Sequence, residues 1–289
     1  MKVCSSCNSA FDGENWRCPE CFSQPDVIDG RLSFAPSLAK ESEGFEADYF
    51  SRLAKQEAGN FWFRSRNRLL IWALRRYFPA AETFLEIGCG TGFVLSGVKE
   101  ALPSLALSGS EIFSEGLGFA AQRLPGVDLF QMDARRIPFR EEFDVIGAFD
   151  VLEHVKQDEE VLSQMYQAVR KGGGILITVP HHPFLWSDSD DFARHVRRYK
   201  WRELSNKVGN AGFEILRITS FVSLLLPFML LSRYKQRLSS KPFDPAAEFD
   251  ISSSINTALE RVLDGERALI RAGLSFPAGG SLLLIGRRN

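Results

Sequence analysis

Phe84-Leu85-Glu86-Ile87-Gly88-Cys89-Gly90-Thr91-Gly92 is an apolar, strand-like run that turns on three glycines at alternate positions. Glycine lacks a Cβ and tolerates positive φ, so such a turn lets backbone approach a ligand closely. The spacing is G-x-G-x-G. The dinucleotide fingerprint G-x-G-x-x-G needs a different offset to seat a pyrophosphate on a helix N-terminus. Glu86 stands two residues before the first glycine. A carboxylate there suits a cationic ligand better than a phosphate.

From this turn onward, strand-like runs alternate with helical stretches. Thr83–Ile87, Leu105–Ser110, Asp128–Gln131, Phe143–Phe149 and Ile175–Val179 read as strands, followed later by Phe213–Ile218 and Leu282–Ile285. One intervening helix is expected over Asp158–Lys171, with Val161, Leu162, Met165 and Val169 on one side and Gly172 to Gly174 as its stop. The alternation predicts an α/β fold, a doubly wound, mostly parallel sheet with helices on both faces. Ligands of such sheets bind outside the carboxyl ends of the strands. The second strand ends at Ser110-Glu111, where a carboxylate can accept from ribose hydroxyls. The third ends at Met132-Asp133-Ala134, where a carboxylate can accept from an adenine amino group. The fourth ends at Asp150, followed by Val151-Leu152-Glu153-His154-Val155.

Taken strand by strand, the region from Phe84 to Pro180 resembles the class I S-adenosylmethionine-dependent methyltransferases of the type 11/23-like branch. The glycine turn resembles their motif I. S-adenosylmethionine carries a sulfonium and an ammonium and no phosphate, in keeping with Glu86. The resemblance implies a Rossmann-like sheet of seven strands, the last antiparallel. It also implies a cofactor site built from Glu86, Gly88, Cys89, Gly90, Gly92, Glu111, Asp133, Ala134 and Asp150. The Asp150–Val155 stretch resembles the branch that methylates quinone precursors, sugars and other small molecules. Cys89, inside the turn, reads as a small packing residue.

Methyl transfer is an in-line displacement that needs alignment and, for a hydroxyl nucleophile, a base. The chain's four histidines, His154, His181, His182 and His195, all follow the fourth or fifth strand. His154, His182 and His195 are the candidate catalytic residues, because imidazole titrates near neutrality. Their spacing with neighbouring acids matches no standard metal site. Trp186 sits in a loop suited to closing over a substrate. Arg197, Arg198 and Tyr199 belong to a segment resembling a recurring H-x-R-R-Y/F block, whose arginine forks match carboxylate or phosphate. The competing reading pairs these arginines with Asp188, Asp190 and Asp191.

Cys4, Cys7, Cys18 and Cys21 form the pattern C-x2-C-x10-C-x2-C. Two such pairs can close a tetrahedral zinc site, and a reducing compartment disfavours the alternative of two disulfides. Residues 1–35 are therefore expected to be a zinc-ribbon-like module whose metal supplies folding energy. Pro25 to Ser42 reads as a linker. Residues 36–80 hold this linker and helical segments over Phe45–Phe78, broken at Gly59-Asn60 and ended by Pro79. Tyr49, Phe50 and Leu53 mark one apolar face. By the same resemblance these helices, with Phe61-Trp62-Phe63-Arg64, are candidates for a lid. Residues 81–289 make up the methyltransferase-like domain.

The composition is that of an ordinary globular protein, 45% hydrophobic and 25% charged. A net charge of −1 gives no reason to expect a nucleic-acid partner. The chain starts with a polar, cysteine-bearing segment rather than a signal peptide, so a cytoplasmic location is expected. Phe221 to Leu231 is apolar, broken by Pro227, and followed by Arg233, Lys235, Arg237 and Lys241. It is too short to span a bilayer but suits peripheral contact with the inner face of a membrane through 221–241. A buried helix or a dimer contact is the competing reading. The expected acceptor is a small molecule, saccharide or lipid-linked compound, methylated at oxygen. Two rival functions remain, an RNA methyltransferase gripping its substrate with the cysteine module, and a non-catalytic binding protein of the same fold.

Overall fold

The structure is a computed structural model that describes residues 1–13, 15–40, 50–238 and 251–289, without the side chains of 236–238. Phe45, Tyr49 and Lys241, and the side chain of Arg237, lie outside the described residues. The chain opens with two short hairpins, β1 (Lys2–Val3) with β2 (Ala10–Phe11), and β3 (Asp26–Ile28) with β4 (Arg31–Ser33). Helices α1 (Phe50–Gln56) and α2 (Phe61–Tyr77) follow. They are separated where expected, with the Asn60 side chain capping α2 by accepting from the Trp62 amide at 2.9 Å.

The alternating unit then runs β5 (Thr83–Ile87), α3 (Phe93–Ala101), β6 (Ala106–Glu111), α4 (Ser114–Arg123), β7 (Asp128–Gln131), β8 (Phe143–Phe149), α5 (Asp158–Ala168), β9 (Val169–Pro180). A short α6 (Asp188–Phe192) and α7 (Trp201–Asn210) lead to β10 (Glu214–Phe221). After it come α8 (Leu226–Leu238), α9 (Ser253–Arg271) and β11 (Ser281–Arg287). The sheet order is β10-β11-β9-β8-β5-β6-β7-β4-β3. β5 to β9 run parallel, and β11 is antiparallel to both neighbours. β5 pairs with β6 on one side and β8 on the other, so the strand order reverses there and opens a crevice at their carboxyl ends. Phe84, Leu85, Val145, Ile146 and Ile177 are buried, as strands covered by helices on both faces must be.

The sheet has nine strands rather than seven. The two extra strands come from the segment that composition marks as a linker. Asp29 and Gly30 both take positive φ, the two-residue turn that matches strand twist. Ser33 of β4 then pairs in parallel with Gln131 of β7, and its hydroxyl donates to the Gln131 side-chain Oε1 at 2.7 Å. The β3–β4 hairpin thus joins the main sheet, while β1 and β2 form a separate two-stranded sheet beside it. Trp16 packs edge-on against Phe34, Phe130 and Phe139, and Val3 N–H donates to the Pro138 carbonyl.

A second difference is the end of α5. Val169 leaves the helix with extended backbone and pairs with Phe143, three residues before the expected stop. Sheet pairing outweighs one more turn of helix, and Gly172 (φ 81°) bulges within the strand instead of capping a helix. Among the described residues no helix is long and apolar enough to cross a membrane. The apolar insertion divides: Phe221, Val222 and Leu225 are buried before α8, whereas on α8 Phe228 is 66%, Leu231 51% and Tyr234 63% exposed.

Candidate functional site

The crevice at the β5/β8 reversal widens into a cavity of about 830 Å³. Its floor is the glycine turn. Gly88, Gly90 and Gly92 all have positive φ (66°, 51°, 74°). A Cβ on Gly88 would stand 2.5 Å from a Val151 methyl, and one on Gly92 2.8 Å from Leu124. The chain therefore needs glycine here for space as well as for conformation. Gly88, Cys89 and Gly90 line the cavity, whereas Gly92 sits behind them as the N-cap of α3. Cys89 is buried, and burial pushes its thiol well above the usual range, which suits packing and not nucleophilic attack.

Glu86 and Glu111 flank this floor. Glu86 is 2% exposed, and its Oε2 has no hydrogen-bond partner among the described residues. Burial raises its pKa well above the ordinary carboxylate value, against the opposing pull of Arg66. Glu111 accepts the Gly90 N–H at 3.0 Å and the Ile112 N–H at 2.8 Å, so β6 and the glycine turn are locked together. Asp133 and Ala134 line the next part of the wall, but the Asp133 carboxylate is forked by its own Arg135 at 2.8–3.0 Å. Asp150 lines the wall from the end of β8 with positive φ and pairs with Arg66.

Arg66 was not apparent from sequence. It lies four residues after Trp62 on α2, so one helix face presents both, and its guanidinium stacks 4.4 Å from the Trp62 ring. α1 and α2 cover the cavity with Phe50, Leu53, Phe61 and Phe63. Glu57, in the turn just after α1, accepts the Thr91 hydroxyl at 2.6 Å and pairs with Arg123 at 2.5 Å, tying the cover to the glycine turn.

The histidines divide. His154 and His195 line the cavity with ring centroids 4.8 Å apart. His154 lies in a 3-10 turn, Leu152–His154, and its pKa is pushed down to about 3 by burial and then by His195. The His195 Nδ1 is 2.8 Å from Asp190 Oδ1. His182 is not in the cavity lining. It stacks on His181 at 3.5 Å, with burial lowering its pKa. Of the arginines, Arg198 lines the cavity and bonds Asp190 at 2.7 Å, the competing pairing considered above. Arg197 instead pairs with Asp158 at 2.5 Å, away from the cavity wall. Tyr199 is fully buried, its hydroxyl donating to Asp158 at 2.6 Å. Trp186 bonds Asp191 at 3.0 Å outside the lining.

The four module cysteines converge separately. Cys4 to Cys21 is 3.5 Å and Cys7 to Cys18 is 3.6 Å between sulfurs, and none forms a disulfide. Zinc–sulfur bonds of about 2.3 Å place tetrahedral ligands about 3.8 Å apart, close to these separations. The two knuckles repeat one another: Asn8 N–H donates to the Cys4 carbonyl and Phe22 N–H to the Cys18 carbonyl, both residues at φ 59°.

The model of the methyltransferase domain family matches residues 53–218. A "Probable S-adenosylmethionine-dependent methyltransferase" of Mycolicibacterium smegmatis is 24% identical over 159 residues, 54% of this chain and 60% of its own length. Phosphatidylethanolamine N-methyltransferase of Cereibacter sphaeroides is 34% identical over 100 residues, 32% of this chain and 48% of its own. The chain thus spans about half to three-fifths of these curated relatives. In fold it is similar to one chain of the complex between the Haloferax volcanii Trm112 methyltransferase activator and the putative methyltransferase (TM-score 0.55, 18% identity, 83% of this chain and 96% of that one). Phosphoethanolamine N-methyltransferase 2 of Haemonchus contortus with S-adenosyl-L-methionine is another neighbour (TM-score 0.52, 17% identity, 84% and 59%). The family match takes in more than half of the chain, including the glycine turn and the acids that end β6 and β7, and so the chain belongs to the methyltransferase-domain family.

Proposed function

We propose that the chain transfers the methyl group of S-adenosylmethionine to an oxygen of a small amphiphilic acceptor. The observation that carries this reading is Glu86, a buried carboxylate with an unpartnered oxygen beside a glycine floor. A buried anion of this kind calls for a cation, and the methionine ammonium supplies one. When bound, the cofactor supplies an electrophilic methyl carbon on its sulfonium.

The chain's own residues then hold and orient. Glu111 keeps acceptor capacity beyond its backbone bonds and takes the ribose hydroxyls. Asp133 with Ala134 meets the adenine edge. Arg66, released from Asp150, matches the methionine carboxylate with a two-pronged fork. α1 and α2 exclude water over the site. His154 and His195 stand on the wall where the acceptor proton must leave. Zinc in the cysteine module holds the hairpins that extend the sheet, by the match of sulfur separations to a tetrahedral site.

Leu225, just before α8, and Phe228 and Met229 on it carry the cavity wall out to an exposed apolar helix with Lys235 on it. This favours an acceptor with an apolar portion, presented at the cytoplasmic face of an anionic membrane. A lipid-directed relative, the phosphatidylethanolamine N-methyltransferase, is in keeping with it. The near-neutral charge gives no support to RNA as acceptor.

Calorimetry with S-adenosylmethionine tests the core of the reading. The wild type binds it, and Glu86→Gln weakens binding by about tenfold or more, the loss of one charge-assisted bond. Wild-type protein that binds no cofactor would favour a non-catalytic scaffold and sink the proposal. Flotation with anionic vesicles at low salt tests the acceptor class separately, and protein that stays at the bottom removes the membrane.

A further inference from the structure

His195 stands 41 positions after His154, and Glu153 directly precedes His154, so no spacing rule joins the three. The fold does. The Val196 N–H donates to the Glu153 carbonyl at 2.8 Å, which pins the segment after α6 against the turn after β8. One ring nitrogen from each histidine and one Glu153 oxygen then lie within 4.8 Å of one another, on the cavity wall.

Glu153 is 0% exposed, and neither carboxylate oxygen has a hydrogen-bond partner among the described residues. Its neighbours differ from it. Asp150 pairs with Arg66, and Asp190 pairs with Arg198. Arg66 and Arg198 act on Glu153 only through their charge, and a buried carboxylate left without a hydrogen-bond partner is costly, a cost that a directly bound cation offsets. Both rings are also anchored from behind. His195 Nδ1 meets Asp190 Oδ1 at 2.8 Å, and His154 bonds the Ala193 backbone carbonyl. Metal-bound histidines characteristically donate their second nitrogen to a carboxylate or a backbone carbonyl, which presents the first to the ion.

We propose that Glu153, His154 and His195 form a two-histidine, one-carboxylate site for a divalent transition cation, zinc foremost, with open positions facing the acceptor. Imidazole and carboxylate together suit such ions. The site's existence stands on this geometry alone. Its role rests on the methyl-transfer reading. An acceptor hydroxyl entering an open position loses its proton to water more readily. Its oxygen then forms the bond to the methyl carbon as the sulfur–carbon bond breaks, and the neutral thioether departs.

Zinc counting by equilibrium dialysis of the full chain against micromolar Zn²⁺ tests the site. The expected result is two zinc ions per chain in the wild type, one in the cysteine module and one here. Glu153→Gln and His195→Gln each retain one, with at least about tenfold weaker uptake of the second. Calorimetric binding of S-adenosylmethionine by each variant checks that it is folded, and a variant that fails this check is replaced by His154→Gln. One zinc in the wild type, or two in folded variants, overturns the proposal and implies a Glu153 that is simply protonated. Cofactor binding with one zinc overturns this site alone. Two zinc ions without cofactor binding overturn the methyl-transfer reading and leave the site standing.

Discussion

Gly88 concentrates two constraints on one residue. Its φ is +66°, and a Cβ would lie 2.5 Å from Val151. Gly88→Ala is expected to cost about 1–3 kcal/mol in the turn, weakening S-adenosylmethionine binding about tenfold or more by calorimetry. Adding Val151→Ala removes the clash but not the backbone strain, so recovery should be partial. His181 sets a different test. Its pKa is pushed down to about 3, by burial first and then by His182 and Arg198, and Ser220 bonds its Nδ1 at 3.0 Å. The unfolded chain takes up a proton near pH 6.5 that the folded chain refuses. Stability therefore falls as pH drops from about 6.5 toward 3, by about 1.4 kcal/mol per pH unit for this group. His154, with its pKa also pushed down to about 3, adds to the slope that urea melts between about pH 7 and 5 should show, and His181→Gln should remove its own share of it. Among single residues, the place of Glu86, Glu111 and Asp133 on the cavity wall was legible because strand ends fix where side chains converge. Arg66 and the approach of Glu153 to His195 were not, because each depends on segments distant in sequence meeting at one wall.

At the scale of elements, α2 and α9 form the support behind the cavity. Glu260 of α9 accepts from Arg64 at 3.0 Å and from Arg68 at 2.6 Å, and Arg64 foremost lowers its pKa to about 2. Asn256 adds a bond from the Phe61 N–H at 2.8 Å and donates to the Gly59 carbonyl. Glu260→Ala should lower stability by about 1 kcal/mol, since these pairs are partly solvated, and the melting temperature by roughly 2–4 °C. An unchanged melting temperature would place the support elsewhere. The five parallel strands were readable because each is an apolar run of ordinary length ended by turn chemistry. The β3–β4 hairpin escaped notice because three-residue strands carry too little pattern. Its Asp-Gly turn was the available signal. The helix α9 was missed for another reason: its buried residues Leu263, Glu266 and Ile270 include a charge, which blurs the apolar period.

For the whole molecule, the cysteine module is a covering for the sheet edge at β7 rather than a separate bead. Cys18, 1% exposed, stands at its centre. Cys18→Ser should lower bound zinc by one ion per chain and loosen the packing of Trp16 on Phe130 and Phe139. With β4 no longer held, the β7 edge is uncovered, and a lower melting temperature with concentration-dependent light scattering is expected. Zinc content and melting equal to wild type would refute this. The same pairing has a consequence for how the chain is made. Ser33 and its partner Gln131 are 98 residues apart, so the hairpin leaves the ribosome well before the strand it joins. At about 5–20 residues per second that interval is of order 5–20 s. During it the module lacks the β7 edge it will pack on, and a metal held by its four thiols would reinforce its own short hairpin, so metal supply at the moment of synthesis is expected to affect the yield of correctly edged protein more than metal supply afterwards.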